Sequence, residues 1–160
     1  FLSSSRENLD WYLGHTGNRS IGPNKVNQLA HARFFGDADG VLGHMQKHRE
    51  IVAPKFEAAA AALERRLDRY DVAHWTRPEG GYFIDLEVPD GTATETVRLA
   101  KEVGVSLTPA GSAYPYGQDP DDRHIRLAPT LPPLREVETA MDVVGLCALL
   151  AACRAALLTV

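Results

Sequence analysis

Apolar residues recur at helical spacing through the first two-fifths of the chain and alternate in the manner of strands after it. Leu9, Tyr12 and Leu13 share one side of a segment over residues 3–16 that opens on serines, so the spacing predicts a short helix. The glycine-rich GHTGNRSIGPNK follows as a loop. Pro23 is placed to open a second helix through KVNQLAHARFF, with Val26, Leu29, Ala30 and Phe34 on a common side and Gly36 at its end. Asp37 or Asp39 then caps the longest helical pattern, Val41 to about Leu67. Its apolar stripe runs through Val41, Met45, Val52, Phe56 and Leu63, and the alanine-rich KFEAAAAALERRL within it favours helix. Pro54 removes a backbone donor inside this pattern, which predicts a kink or a junction of two helices.

Past RYDVAHW the period changes to two. GGYFIDLEV sets Tyr82, Ile84 and Leu86 against Phe83, Asp85 and Glu87. PDGTAT turns the chain, Thr92 and Glu95 have the spacing of a capping box for a helix from Ala93 to Val103, and Gly104 stands at its C-terminal stop. VSLTPAG reads as a short strand and HIRLA as another, after which Pro132 or Pro133 starts a last helix through Leu134, Val137, Met141, Val144 and Ala148. The order strand, helix, strand, strand, helix describes a small α/β domain of the α+β kind with one sheet face covered. The helical first seventy residues have no evident core of their own, so their stripes call for a partner domain.

Composition narrows the class. Of the 160 residues, 44% are hydrophobic and 24% charged, enough apolar matter for a core and too much for disorder. A net charge of −4 without any run of basic and aromatic residues argues against a general nucleic-acid surface. Cys147 and Cys153, six apart on one predicted helix, fall on different faces, which disfavours a bridge or a metal pair and fits a reducing cytoplasm. The uninterrupted apolar run Val143 to Cys153 is short for a membrane span before Arg154 interrupts it, so a buried helix is expected. No internal repeat is present, and FLSSS at the start reads as the interior of a longer chain.

Three features invite a chemical reading. His44 and His48 are four apart, but HMQKH lacks the glutamate of a zinc-protease helix, and a solvated face is expected rather than a metal. In GVSLTPAGSAYPYG, Pro109, Gly111 and Pro115 define an irregular loop offering the hydroxyls of Ser112, Tyr114 and Tyr116. An ordinary surface connection explains these residues equally well. Gly80 and Gly81 read as a turn that admits a close backbone, with Arg77 nearby as a solvated charge. Arg126 carries more. It alternates with Ile125 and Leu127 inside a strand, where a guanidinium is costly unless an anion meets it. Either Asp85 or Glu87 pairs with it across the sheet, or it forms a fork for a carboxylate that arrives as a ligand.

The segments IGPNKVNQLAHARFFGDADGVLGHMQKHREIVAPKF, WTRPEGGYFIDLEVPDG and GVSLTPAGSAYPYGQDPDDRHIRLAPT, followed by the last helix, together resemble the C-terminal part of a fold-type I pyridoxal-phosphate aminotransferase. The resemblance is closest to the aspartate-aminotransferase-like branch called MocR-type. It implies that residues 1–38 are the tail of a large cofactor domain, 39–69 a linking helix and 70–160 a complete small domain. It implies pyridoxal phosphate as cofactor, an α-amino acid such as aspartate and a 2-oxo acid as substrates, and a cytoplasmic homodimer. Arg126 matches the arginine that binds the substrate α-carboxylate, with Ser112 and Tyr114 lining the entrance. Asn24, Lys25 and Asn27 match a loop that approaches the neighbouring subunit's site. The Schiff-base lysine falls upstream of this chain, and Lys25, Lys47, Lys55 and Lys101 do not match it, so no catalytic residue and no metal ligand is assigned and the chain alone is expected to be inactive. The same resemblance extends to the ligand-sensing domain of MocR-type transcription regulators, the alternative reading. A stand-alone amino-acid-binding module is a third, disfavoured by the unpartnered helices.

Overall fold

The computed structural model describes residues 4–158. Its N-terminal unit, up to His48, is helical. Helix α1 spans Arg6–Thr16, with the Ser5 hydroxyl accepting from the Asn8 amide at 3.3 Å. The predicted start at residue 3 lies outside the described residues. Helix α2 spans Lys25–Phe35, and its cap is Asn24 rather than Pro23: Asn24 Oδ1 accepts from the Asn27 amide at 2.9 Å, leaving the proline one residue ahead of the cap. Neither α1 nor α2 has a buried residue. Trp11, Leu13, Val26, Leu29 and Phe34 are all exposed, as expected of stripes without a core of their own.

Helix α3, Ala38–Leu67, runs unbroken through Pro54, so two helices do not meet there. Asp37 rather than Asp39 caps it, Oδ1 accepting from the Gly40 amide at 2.9 Å. The chain divides into its two units inside α3, between His48 and Arg49. The predicted stripe behaves differently on either side: Val41 and Met45 are exposed, whereas Val52 and Phe56 are half-buried and Leu63 is fully buried.

The C-terminal unit, from Arg49 on, contains the core. Strands β1 (His74–Trp75), β2 (Ile84–Glu87) and β3 (His124–Leu127) form an antiparallel sheet in that order. Ile84 pairs with Leu127, Asp85 with Arg126, Leu86 with Ile125 and Glu87 with His124. Period two sends Ile84, Leu86, Ile125 and Leu127 to one face, where they join Leu63 and Leu67 of α3 and Val137 and Val144 of helix α5 (Leu134–Leu158) in a single buried cluster. Each such side chain contributes about 1.5–3 kcal/mol. Helix α4 (Ala93–Glu102) packs on α5. By length and composition α5 is apolar enough to cross a membrane, yet Val137, Met141, Val144, Gly145, Ala148 and Ala151 along it are buried, which makes it a core helix. Cys147 is buried and Cys153 exposed, both free, on the different faces their spacing predicts.

Three local expectations give way. VSLTPAG is not a strand: Thr108 meets the edge of β3 through its hydroxyl, donating to the Arg126 carbonyl at 3.1 Å, and Pro109 has no N–H to continue a ladder. β1 is the strand that does form, and Tyr82 and Phe83 stand outside β2, exposed. The capping box fails as well. Thr92, buried, donates its hydroxyl to the Pro89 carbonyl at 2.6 Å, and Glu95 turns to Arg98 and Arg154. The cap of α4 comes instead from Asp122, far along the chain: its carboxylate accepts from the Thr94 amide at 3.0 Å and its carbonyl from the Ala93 amide at 2.9 Å. Gly104 ends α4 as expected, at φ 92°. Gly81 is required for its φ of 90° and not by any close backbone, since a Cβ there would meet nothing.

These hydrogen bonds support two predictions. Asp122→Ala removes the carboxylate that accepts from the Thr94 amide, leaving only the carbonyl bond to Ala93, and is expected to cost about 1–2 kcal/mol in chemical denaturation. The second concerns acid. Hydrogen bonds from Arg98 hold the Glu95 carboxyl down to about 2, against burial that opposes them, with Arg154 adding to the effect. A carboxyl depressed on folding adds stability that is complete above its unfolded value of 4.5 and disappears as pH falls through about 2. The stability gap between the protein and its Glu95→Gln variant should therefore shrink across that window and close at its acid end.

Candidate functional site

The sheet face turned away from the core carries the polar residues of β2 and β3. A depression of about 340 Å³ on it is lined by Phe83, Ile84, Asp85, Ala113, Tyr114, His124 and Arg126. Arg126 reaches it because alternation puts Ile125 and Leu127 into the core and the residue between them on the opposite face. Its guanidinium carbon lies 4.7 Å from the centroid of the Phe83 ring. Its Nε is buried without a hydrogen-bond partner, and among the described residues Arg126 makes no ion pair.

The acids that sequence reasoning offered to Arg126 are engaged elsewhere. Asp85 Oδ2 lies 2.9 Å from His124 Nδ1. Glu87 Oε1 lies 3.3 Å from the Arg123 guanidinium, which also approaches Asp90 at 3.1 Å. Neither acid pairs with Arg126 in this structure, although Asp85 is the residue directly across from it.

The loop leading into β3 is fixed by two devices. Asp119 accepts three backbone amides, from Asp121 at 3.2 Å, Arg123 at 2.9 Å and His124 at 2.8 Å. Burial opposes its ionisation, but these donors outweigh burial and hold its carboxyl below the usual range. Gly111, buried and at φ 79°, lets the loop close on itself: a Cβ there would stand 2.2 Å from the Gly117 carbonyl oxygen. This closure carries Tyr114 over His124, ring centroids 5.6 Å apart. Burial, then the negative charges of Asp119, Asp85 and Asp121, push the Tyr114 phenol up, so it remains a protonated donor.

The structure brings Arg126 and Tyr114 together at the depression, whereas Ser112 lies in the same loop without lining it, its amide donating to Pro109 at 3.2 Å. Tyr116 is fully exposed. Asn24 caps α2, Lys25 is its exposed first residue and the Asn27 carbonyl meets His31 Nδ1 at 2.8 Å, all in the N-terminal unit. His44 and His48 approach at 3.0 Å between their Nε2 atoms, and no cluster of three metal-ligating side chains occurs among the described residues. Arg77 is exposed and paired with Glu64. Phe83 and His124 are additions to the predicted site. Both were legible in principle, since residues two apart in a strand share a face, which sets His124 beside Arg126 and Phe83 beside Asp85.

The Arg126 guanidinium and the Tyr114 phenol are donors that suit a ligand with a carboxylate, while the Asp85 carboxylate is turned to His124. The depression offers no amine to hold an aldehyde cofactor: no lysine lines it, and Lys55 Nζ is engaged by the Thr130 carbonyl at 2.6 Å. This depression does not by itself form a pyridoxal-phosphate site.

The family described as aspartate amino-transferase matches residues 1–158. The chain belongs to the aspartate aminotransferase family. It is 58% identical over 152 residues to an aspartate aminotransferase of Corynebacterium glutamicum, covering 95% of this chain and 35% of that protein. A solved aspartate transaminase from Corynebacterium glutamicum superposes with a TM-score of 0.86 at 58% identity, over 93% of this chain and 35% of its own. An α-aminoadipate aminotransferase from Thermus thermophilus, solved with N-(5'-phosphopyridoxyl)-L-leucine, shares the fold at 20% identity, with a TM-score of 0.72 over 92% of this chain and 37% of its own. The chain thus spans about a third of the length of these aminotransferases.

Proposed function

We propose that this chain is the C-terminal portion of a pyridoxal-phosphate aminotransferase that moves an amino group between an α-amino acid and a 2-oxo acid, with Arg126 gripping the α-carboxylate. The observation that carries the reading is the unpartnered guanidinium of Arg126, half-buried beside Phe83 while the acids near it are engaged by His124 and Arg123. A planar fork held this way matches two carboxylate oxygens, which a lysine could not copy. Aspartate is the proposed amino donor, on the strength of the similar protein named for it.

The cofactor and the lysine that carries it would belong to the part of the protein outside this chain, which would also cover the exposed stripes of α1 and α2. The cofactor supplies an electron sink when bound. This chain's own residues would hold and orient the carboxylate, with Tyr114 and Phe83 lining the depression beside Arg126. Ser112 would border the entrance, and Asn24, Lys25 and Asn27 would face a second subunit of a cytoplasmic homodimer, where Lys25 has its side chain free while Asn24 is committed to its cap.

The test is the half-reaction of the full-length protein with L-aspartate, followed by cofactor absorbance, in wild type and Arg126→Ala. A large loss of apparent affinity for the amino acid is expected, and unchanged affinity overturns the assignment of Arg126. Sustained turnover with a 2-oxo acid separates an enzyme from the ligand-sensing domain of a regulator.

A further inference from the structure

We infer that His124 is a positioning residue that keeps Asp85 away from Arg126 and so leaves the guanidinium open to an incoming carboxylate. The inference deepens the proposed carboxylate site and rests on it.

The sheet register makes Asp85 the natural partner of Arg126. The two are directly opposite across β2 and β3. The Asp85 carbonyl accepts from the Thr76 amide at 3.0 Å and its amide donates to the Thr76 hydroxyl at 2.9 Å, so its backbone groups face away from β3. Asp85 and Arg126 are therefore a non-hydrogen-bonded pair, the kind whose side chains come closest, and opposite charges there attract. An aspartate in that position would ordinarily close on the arginine and fill the site from within.

It does not, because a diagonal neighbour holds it. His124 stands two residues before Arg126 on the same face, and its Nδ1 lies 2.9 Å from Asp85 Oδ2. The carboxylate can only accept, so Nδ1 carries the proton and donates. The other acid of β2, Glu87, is directly opposite His124 and is drawn outward by Arg123 at 3.3 Å. His124 in turn is held by its backbone, whose amide donates to Asp119 at 2.8 Å, and by the Tyr114 ring. Asp85 is taken by His124, and Glu87 and Asp90 by Arg123, which leaves the Arg126 guanidinium without an anion among the described residues.

The test uses the full-length holoenzyme in four forms: wild type, His124→Ala, His124→Asn and the double variant His124→Ala/Asp85→Asn. The readouts are KM for L-aspartate and for 2-oxoglutarate, and the inhibition constant of succinate as an unreactive carboxylate. Freed from His124, Asp85 competes for Arg126, and His124→Ala should raise all three constants about tenfold or more. Asparagine keeps a donor near the position of Nδ1, so His124→Asn should stay within about threefold of wild type. Removing the competing charge should restore His124→Ala, the double variant returning to within about threefold of wild type. A merely structural role for His124 would not be rescued by neutralising Asp85. Unchanged constants in His124→Ala, or a loss that the double variant does not recover, overturns the inference. Arg126→Ala, assayed alongside, reports separately on the carboxylate site: if it leaves all three constants unchanged, the proposed site has failed, and the inference with it.

Discussion

Arg126→Ala in the full-length protein is expected to lower kcat/KM for the amino acid and the 2-oxo acid alike, by about two to three orders of magnitude. The size follows from the chemistry of the clamp. Truncating one member of a desolvated, hydrogen-bonded charge pair costs about 2–5 kcal/mol, because the remaining charge is left without a partner. The proposed amino-acid and 2-oxo-acid substrates carry the same carboxylate, so both should bind more weakly together, and a defect confined to one of them would point to a side-chain interaction instead. Arg126→Lys should recover only part of the defect, since an ammonium is a point charge without the planar fork. Stability should move the other way. A guanidinium whose Nε is buried without a partner is a burden on the folded state, offset only in part by the Phe83 ring. Arg126→Met, which keeps the aliphatic bulk, is expected to leave the unfolding midpoint unchanged or raise it. A substitution that removes function while sparing or improving stability identifies a residue kept for its ligand.

Gly111→Ala should have the largest effect on folding of any single methyl group added to the loop before β3. The residue sits at φ 79°, where an L side chain is strained, and the added carbon would stand 2.2 Å from the Gly117 carbonyl oxygen and 2.9 Å from its carbon. Neither atom is the mobile end of a side chain, so the backbone itself must open. Left-handed strain and overpacking together are expected to cost about 2–5 kcal/mol. Gly104→Ala is the comparison: its φ is 92°, yet a Cβ there meets nothing, so it should incur the dihedral strain alone. Because the closed loop carries Tyr114 over His124, Gly111→Ala should also weaken substrate binding, whereas Gly104→Ala should not. Equilibrium denaturation and KM, measured on both variants in the full-length protein, check the two parts separately.

The expectations that held rest on local physics. Period two in HIRL sent Ile125 and Leu127 inward and Arg126 outward without reference to any other part of the chain, and the glycine after α4 ended it where its missing side chain permits positive φ. Expectations failed where a distant group took over a local one. The Thr92 and Glu95 pair had the right spacing for a cap, but Asp122, twenty-eight residues from the Thr94 it binds, reached the helix start first. VSLTPAG had strand composition but met β3 through a hydroxyl and then a proline.

The sequence by itself determined that an arginine would stand on the open face of a small sheet, and that an anion had to meet it, because alternation and the cost of a buried charge are properties of the strand alone. That neither nearby acid is this anion was decided only by the tertiary structure. Asp85 is directly across from Arg126, yet His124 holds it, and Glu87 is held by Arg123. Ion pairing is a competition among all the charges within reach, and which charges are within reach is set by register and loop closure, which no short stretch of sequence contains.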